Sequence, residues 1–143
     1  MRENFVFVDS IEIDSDFSSI NNVELFIDDM CLKLSVSDDL YGNVLIAVSE
    51  AVNNAIQHGN QFSKTLKVAL SVCDSEGVFN FSITDKGKGF DITNLPDPTS
   101  PENVLKENGR GIFLMKNLAD EVEFLNNGSL VNLYFNKWLI LVV

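Results

Sequence analysis

Apolar residues recur along this chain with two different periods, and each change of period marks an element. Phe5, Phe7, Ile11 and Ile13 interleave with Val6, Val8 and acidic residues, which predicts an extended edge strand, or a strand and its continuation. From Ile20 the spacing becomes helical. Ile20, Val23, Ile27, Met30, Cys31 and Leu34 follow a Ser18-Ser19 start signal and predict a first amphipathic helix. A second helix follows almost at once. Ser37 is placed to cap it, Asp38 and Asp39 suit the positive end of its dipole, and Gly59 is a natural stop. Its buried stripe is Leu40, Val44, Leu45, Val48, Val52, Ala55 and Ile56.

Alternation returns at Leu66, Val68, Leu70 and Val72 and again at Phe79, Phe81 and Ile83, with Ser75-Glu76-Gly77 as the hairpin turn between them. From about Asp85 to Gly109 there is no apolar repeat, only Gly87, Gly89, Pro96, Pro98 and Pro101 among polar residues. A loop of this length inside a compact domain is characteristic of a functional lid. A short helix is expected after Gly111, with Ile112, Leu114, Met115 and Leu118 as its apolar face. Strands follow near Val122 to Leu125 and Leu130 to Phe135, joined through Asn127-Gly128. Strands and helices therefore segregate into two layers. The tail from Trp138 to Val143 is apolar and reads as a final strand or an interface patch.

Composition narrows the function classes. At 143 residues, with 45% hydrophobic and 22% charged, the chain is expected to be a single domain over 1–143 with a core that needs no disulfide or metal. Ten Lys and Arg stand against 21 Asp and Glu, a formal charge of −11, which argues against a direct nucleic-acid binder. Residues 1–50 hold eleven of the acids and two of the bases. Cys31 and Cys73 lie in separate periodic segments with no Cys or His partner nearby, so both are expected to be buried thiols. The N-terminus lacks the pattern of a secretion signal, and the longest apolar run is far short of the roughly 20 residues of a membrane helix. A cytoplasmic location, with no membrane partner, is the expectation.

Three stretches carry candidate chemistry. In Glu50-Ala51-Val52-Asn53-Asn54-Ala55-Ile56-Gln57-His58-Gly59, Glu50 and Asn54 are four apart and share one helix face, away from the apolar stripe. At the end of the Phe79 to Thr84 strand comes Asp85-Lys86-Gly87-Lys88-Gly89. Its glycines let backbone approach a flat ligand, and its Asp can accept a hydrogen bond from an exocyclic amine. The third stretch, Gly109-Arg110-Gly111-Ile112-Phe113-Leu114-Met115, reads as glycines before a helix whose first N–H groups are free for an anion, with Arg110 adding a cation. Each has an ordinary alternative when taken alone: a solvated helix face, a common turn, and a common loop-to-helix junction.

Their order resembles the GHKL ATPase superfamily, and within it the anti-sigma factor serine/threonine kinases. Glu50 through Ala55 with His58-Gly59 is similar to the family's N box, and Gly109 through Met115 followed by Ala119-Asp120-Glu121-Val122 to its second glycine box. The resemblance runs from about Phe17 to Phe135. It implies the Bergerat fold: a two-layer α+β sandwich with a mixed, mostly antiparallel sheet, about three helices on one face, and a long ATP lid. It also implies residue roles. Asn54 would coordinate the magnesium ion that bridges the ATP phosphates, and Asp85 would bind the adenine amino group over a floor shaped by Gly87 and Gly89. Gly109 and Gly111 would offer backbone N–H groups to the phosphates, and Glu50 would be the general base toward a substrate serine or threonine.

The chain departs from the family in two places. The arginine that relatives often carry before the second glycine box is replaced by Lys106-Glu107-Asn108, leaving Arg110 or Lys106 as the substitute cation. The Gly-Thr pair of the penultimate strand is replaced by Gly128-Ser129, with Ser129 as the substitute. His58, the single histidine, is expected to cap or contact the site locally. The partners implied are a small STAS-type anti-anti-sigma protein as substrate, a sigma factor as competitor, and a second copy in a homodimer. Two other readings remain open from the residues: a non-catalytic ATP-dependent binding module, and the ATP-binding half of a split histidine kinase.

Overall fold

The computed structural model describes residues 4–87 and 107–137. Most of the expected lid, with Gly89 and Lys106, and the apolar tail at 138–143 lie outside them. Nine residues with the predicted alternation, Val6–Asp14, form β1. A short 3-10 turn follows, and then α1 (Ile20–Lys33), α2 (Asp38–Asn54), β2 (Lys67–Ser75), β3 (Val78–Thr84), α3 (Glu107–Leu118), β4 (Glu121–Leu125) and β5 (Leu130–Asn136). The strands make one sheet in the order β1-β2-β3-β5-β4. The sequence reading of a mixed, mostly antiparallel sheet is corrected here, because among the described residues all four strand pairings are antiparallel. The reason is the path of the chain. The excursion through α3 returns it to the far edge as β4, and a tight turn then folds β5 back between β4 and β3.

Register puts apolar partners on one face: Val72 opposite Phe81, Leu70 opposite Ile83, Phe81 opposite Leu133, and Ile83 opposite Val131. These meet Val23, Ile27 and Met30 of α1, Val44, Val48, Val52 and Ile56 beginning in α2, and Met115 of α3 in a single core. Each fully buried side chain of this kind contributes about 1.5–3 kcal/mol relative to exposure. Phe79 and Phe135 stack within it at 5.4 Å between centroids.

Local signals explain the element ends. Ser37 caps α2, its Oγ accepting from Leu40 N at 3.3 Å, with Asp38 and Asp39 in the first turn as expected. The α1 start differs from the sequence reading. Ser19 makes no side-chain cap, and it is Asp16 that accepts from Ser18 N, at 2.8 Å, to open the preceding 3-10 turn. In the β2–β3 hairpin Gly77 takes φ 78°, a conformation costly for any residue with a Cβ.

Two further expectations change. Helix α3 begins at Glu107, so Gly109 and Gly111 lie inside it rather than before it. Glycine is a poor helix former, but here the helix is held by packing against α2, which outweighs propensity. Cys31 is buried as expected, whereas Cys73 is only half-buried because its β2 position faces away from the helices. Among the described residues no helix is long and apolar enough to cross a membrane.

Candidate active site

The C-terminal end of α2 is the centre of the site. Glu50 and Asn54, one turn apart, are both half-buried, not a freely solvated face. They stand against Gly111 of α3. A Cβ on Gly111 would lie 3.0 Å from Glu50 Oε2, 3.5 Å from Asn54 Nδ2 and 3.6 Å from Asn54 Oδ1. The glycine is thus explained by close approach of two helices at the point where a carboxylate and an amide sit together.

Beyond Asn54 the helix widens into a π turn over Ala55–Gly59, a feature often found at functional sites. This turn meets the end of β3. A Cβ on Gly59 would overlap the Asp85 carboxyl group, and one on Gly87 would overlap the Gly59 carbonyl. The Asp85 turn therefore nests on the end of the π turn through two glycines. Asp85 is 6% exposed. Burial pushes its carboxyl above the ordinary value of 3.8, partly offset by the hydrogen bond it accepts from Gly87 N at 3.0 Å. Its own N–H donates to Ser129 O at 2.9 Å, which joins the β4–β5 turn to the site.

Asn54 and Asp85 open into one crevice, whose walls are Ala51, Ala55, Ile83, Met115, Phe124, Gly128 and Val131. An amide and a carboxylate at two corners of an otherwise apolar slot suit a flat, partly polar ligand. A wider hollow beside it is lined by His58, Gly59, Asn60, Lys86 and Gly87. His58 thus stays local to the site, and its Nε2 is enclosed with no hydrogen-bond partner among the described residues.

The structure brings Glu50, Asn54, Asp85, Gly87, Gly111 and Ser129 to one end of the molecule, and leaves Gly89 and Lys106 outside the described residues. Ser129 meets Asp85 through its carbonyl, while its hydroxyl donates to Asn126 O at 2.9 Å. Gly109 lies in the first turn of α3, where N–H groups are free of intrahelical partners, but Gly111 lies one step past that turn, so its contribution is packing against Glu50 and Asn54. Arg110, between them, is exposed. Sequence reasoning missed Asn60. It is 2% exposed and accepts a hydrogen bond from Lys86 N at 2.8 Å. An amide directly after the Gly59 helix stop carries no distinguishing mark in the sequence.

The Gly111 contact supports a prediction with opposite signs. Gly111→Ala should add about 1 kcal/mol of helix stability, since only the ends of two side chains need yield. The same displacement of Glu50 should slow, about tenfold or more, any reaction in which its carboxylate takes part. Melting temperature and reaction rate measured on one preparation test this, and an unchanged rate would show that Glu50 need not stand where it does.

Comparison with known proteins gives a consistent picture. Residues 13–135 match the family model of the histidine kinase-like ATPase domain. The chain is 35% identical over 106 residues to the serine-protein kinase RsbW of Bacillus licheniformis, covering 70% of this chain and 66% of that one. It is 37% identical over 97 residues to the anti-sigma F factor of Bacillus cytotoxicus, covering 64% and 65%. The chain thus spans slightly less than two thirds of the length of these relatives. Among solved structures, the crystal structure of the RsbU and RsbW domains of Rv1364c from Mycobacterium tuberculosis superposes with a TM-score of 0.59 at 18% identity, over 90% of this chain and 32% of that one. That likeness concerns the fold.

Proposed function

Because the chain belongs to the family of histidine kinase-like ATPase domains, we propose that it is a protein serine/threonine kinase of the anti-sigma factor type. In this reading it uses Mg-ATP to phosphorylate a small STAS-type anti-anti-sigma protein, with a sigma factor as the competing partner. The observation that carries the reading is the placement of Glu50 beside Asn54 against Gly111, with Asn54 and Asp85 sharing one crevice. Relatives named as a serine-protein kinase and an anti-sigma factor support the substrate class.

Each residue has a physical task. Asp85 accepts a hydrogen bond from the adenine amino group, and the apolar walls from Ile83, Met115 and Phe124 take the ring faces. Gly109 directs its N–H toward phosphate, Gly87 and Gly89 shape the base-binding turn, and Arg110 or Lys106 supplies the cation. Bound magnesium would offset phosphate charge. Asn54 would hold it through a hard amide oxygen, the remaining ligands being phosphate oxygens and water, since no cluster of three or more His, Cys, Asp or Glu suited to a metal exists among the described residues. Glu50 then accepts the proton of the substrate hydroxyl as its oxygen takes the phosphoryl group and ADP departs. A homodimer belongs to the same reading. Among the described residues β1 is an edge strand with Val6 and Phe7 exposed, an arrangement that invites pairing with a second copy.

The test is incubation of the protein with γ-labelled ATP, magnesium and an extract of its own cells. Acid-stable label on serine or threonine of one small protein is the expected result. Acid-labile label on histidine would replace this reading with that of a split histidine kinase, and no label despite ATP binding would replace it with that of a nucleotide-dependent binding module.

A further inference from the structure

Asn60 sits where three parts of the chain converge. Its Nδ2 donates to Ser15 Oγ at 2.9 Å and to the Lys67 carbonyl at 3.1 Å, and its Oδ1 accepts from Lys86 N at 2.8 Å. Ser15 in turn donates to the Leu66 carbonyl at 2.5 Å. Only one orientation of the amide satisfies this set, because the reverse would put N–H against N–H at Lys86 and oxygen against oxygen at Lys67. The backbone N–H of Asn60 is itself fixed to Ala55 O at 2.8 Å. Asn60 is thus a rigid post, buried and saturated with partners.

The hydrogen bond to Lys86 N has a specific consequence. That N–H belongs to the peptide plane after Asp85, and the plane before Asp85 is tied to Ser129 O at 2.9 Å. With both planes held, the φ and ψ of Asp85 are fixed, and with them the direction of its Cα–Cβ bond, while Gly87 N holds the carboxylate itself at 3.0 Å. Gly59 and Gly87 close the remaining space around the carboxyl.

We infer that Asn60 is a positioning residue for base recognition, holding the Asp85 carboxylate at the one place where it selects a 6-amino purine over a 6-oxo purine. The inference rests on the reading of Asp85 given above. A buried amide that only stabilised the fold would affect ATP and inosine triphosphate alike, since the two differ only along one edge of the base, at the 6-substituent and in the proton on N1. A positioning residue changes their ratio.

The experiment measures the dissociation constants of ATP and inosine triphosphate on the full chain, by competition with a fluorescent ATP analogue, together with melting temperature. The unaltered protein should prefer ATP by about ten- to hundredfold, the range of one charge-assisted hydrogen bond. In Asn60→Ala the preference should fall to within about threefold, because an unheld carboxylate loses the preorganisation that made it selective. Asn60→Asp keeps the acceptor for Lys86 N. It should retain most of the preference, although a buried carboxylate facing the Lys67 carbonyl lowers its melting temperature.

A folded Asn60→Ala with an unchanged ratio overturns the inference. Where Asn60→Ala does not fold, Asn60→Ser, whose shorter side chain gives up the bond to Lys86 N, decides: a preference that falls to within about threefold supports the inference, and an unchanged one overturns it. Asp85→Asn serves as the parallel arm. If it leaves the ratio unchanged, Asp85 itself does not read the base, and the inference falls with that reading rather than through Asn60.

Discussion

Replacing Glu50 by Gln should slow phosphoryl transfer by about 10²–10⁴-fold while leaving ATP affinity within about twofold. Gln preserves the volume and most of the contacts of a half-buried side chain facing Gly111, but its amide cannot take a proton from a hydroxyl at neutral pH. Positioning and charge stabilisation do most of the work in this class of reaction, so a residual rate above background should remain. The split between rate and affinity is the informative part. A loss of transfer matched by an equal loss of ATP binding would place Glu50 in nucleotide binding instead. An unchanged rate would remove it from the chemistry. The measurement is single-turnover transfer of γ-labelled phosphate with nucleotide affinity determined in parallel.

The second large effect is expected at Asp85, and it divides stability from function. Asp85→Asn should weaken ATP binding by about ten- to hundredfold, the value of a charge-assisted hydrogen bond to the adenine amine. The nucleotide-free variant should nevertheless be more stable at pH 7 by about 1 kcal/mol, or about 3 °C in melting temperature. A buried carboxylate is carried by the fold at a cost, with Gly87 N as its one charge-stabilising donor among those given above. The sign follows from the raised pKa. Below the ordinary value of 3.8 the group is protonated in both folded and unfolded chains and costs nothing. As pH rises from 3.8 toward the raised folded-state pKa the penalty builds up, and above it the penalty is complete. The stability advantage of Asp85→Asn should therefore shrink as pH is lowered from 7 toward 4. A parent protein more stable than the variant at pH 7 would contradict this account.

Much of the candidate site was legible because its residues carry local signatures. Glu50 and Asn54 share a face by helical spacing alone, and the structure keeps them together. Asp85 follows a strand whose alternation is unambiguous. The glycines were legible as glycines but not in their roles. Gly111 reads locally as a junction before a helix, whereas it lies inside α3 and admits the Glu50 carboxylate. Asn60 was not legible, since its partners Ser15 and Lys86 lie 45 and 26 residues away in the chain.

By itself the sequence determined the strands, the two long helices, the Ser37 cap and the grouping of three motifs, because hydrophobic period and capping chemistry act over a few residues and leave their mark in composition. Tertiary structure decided the all-antiparallel order of the sheet, the early start of α3, the burial of Asp85 and the clamp at Asn60. Those depend on which distant backbones come within a few ångströms of one another. Contacts of that kind arise only when the sheet and helices close on a shared core, and no local pattern of polar and apolar residues encodes them.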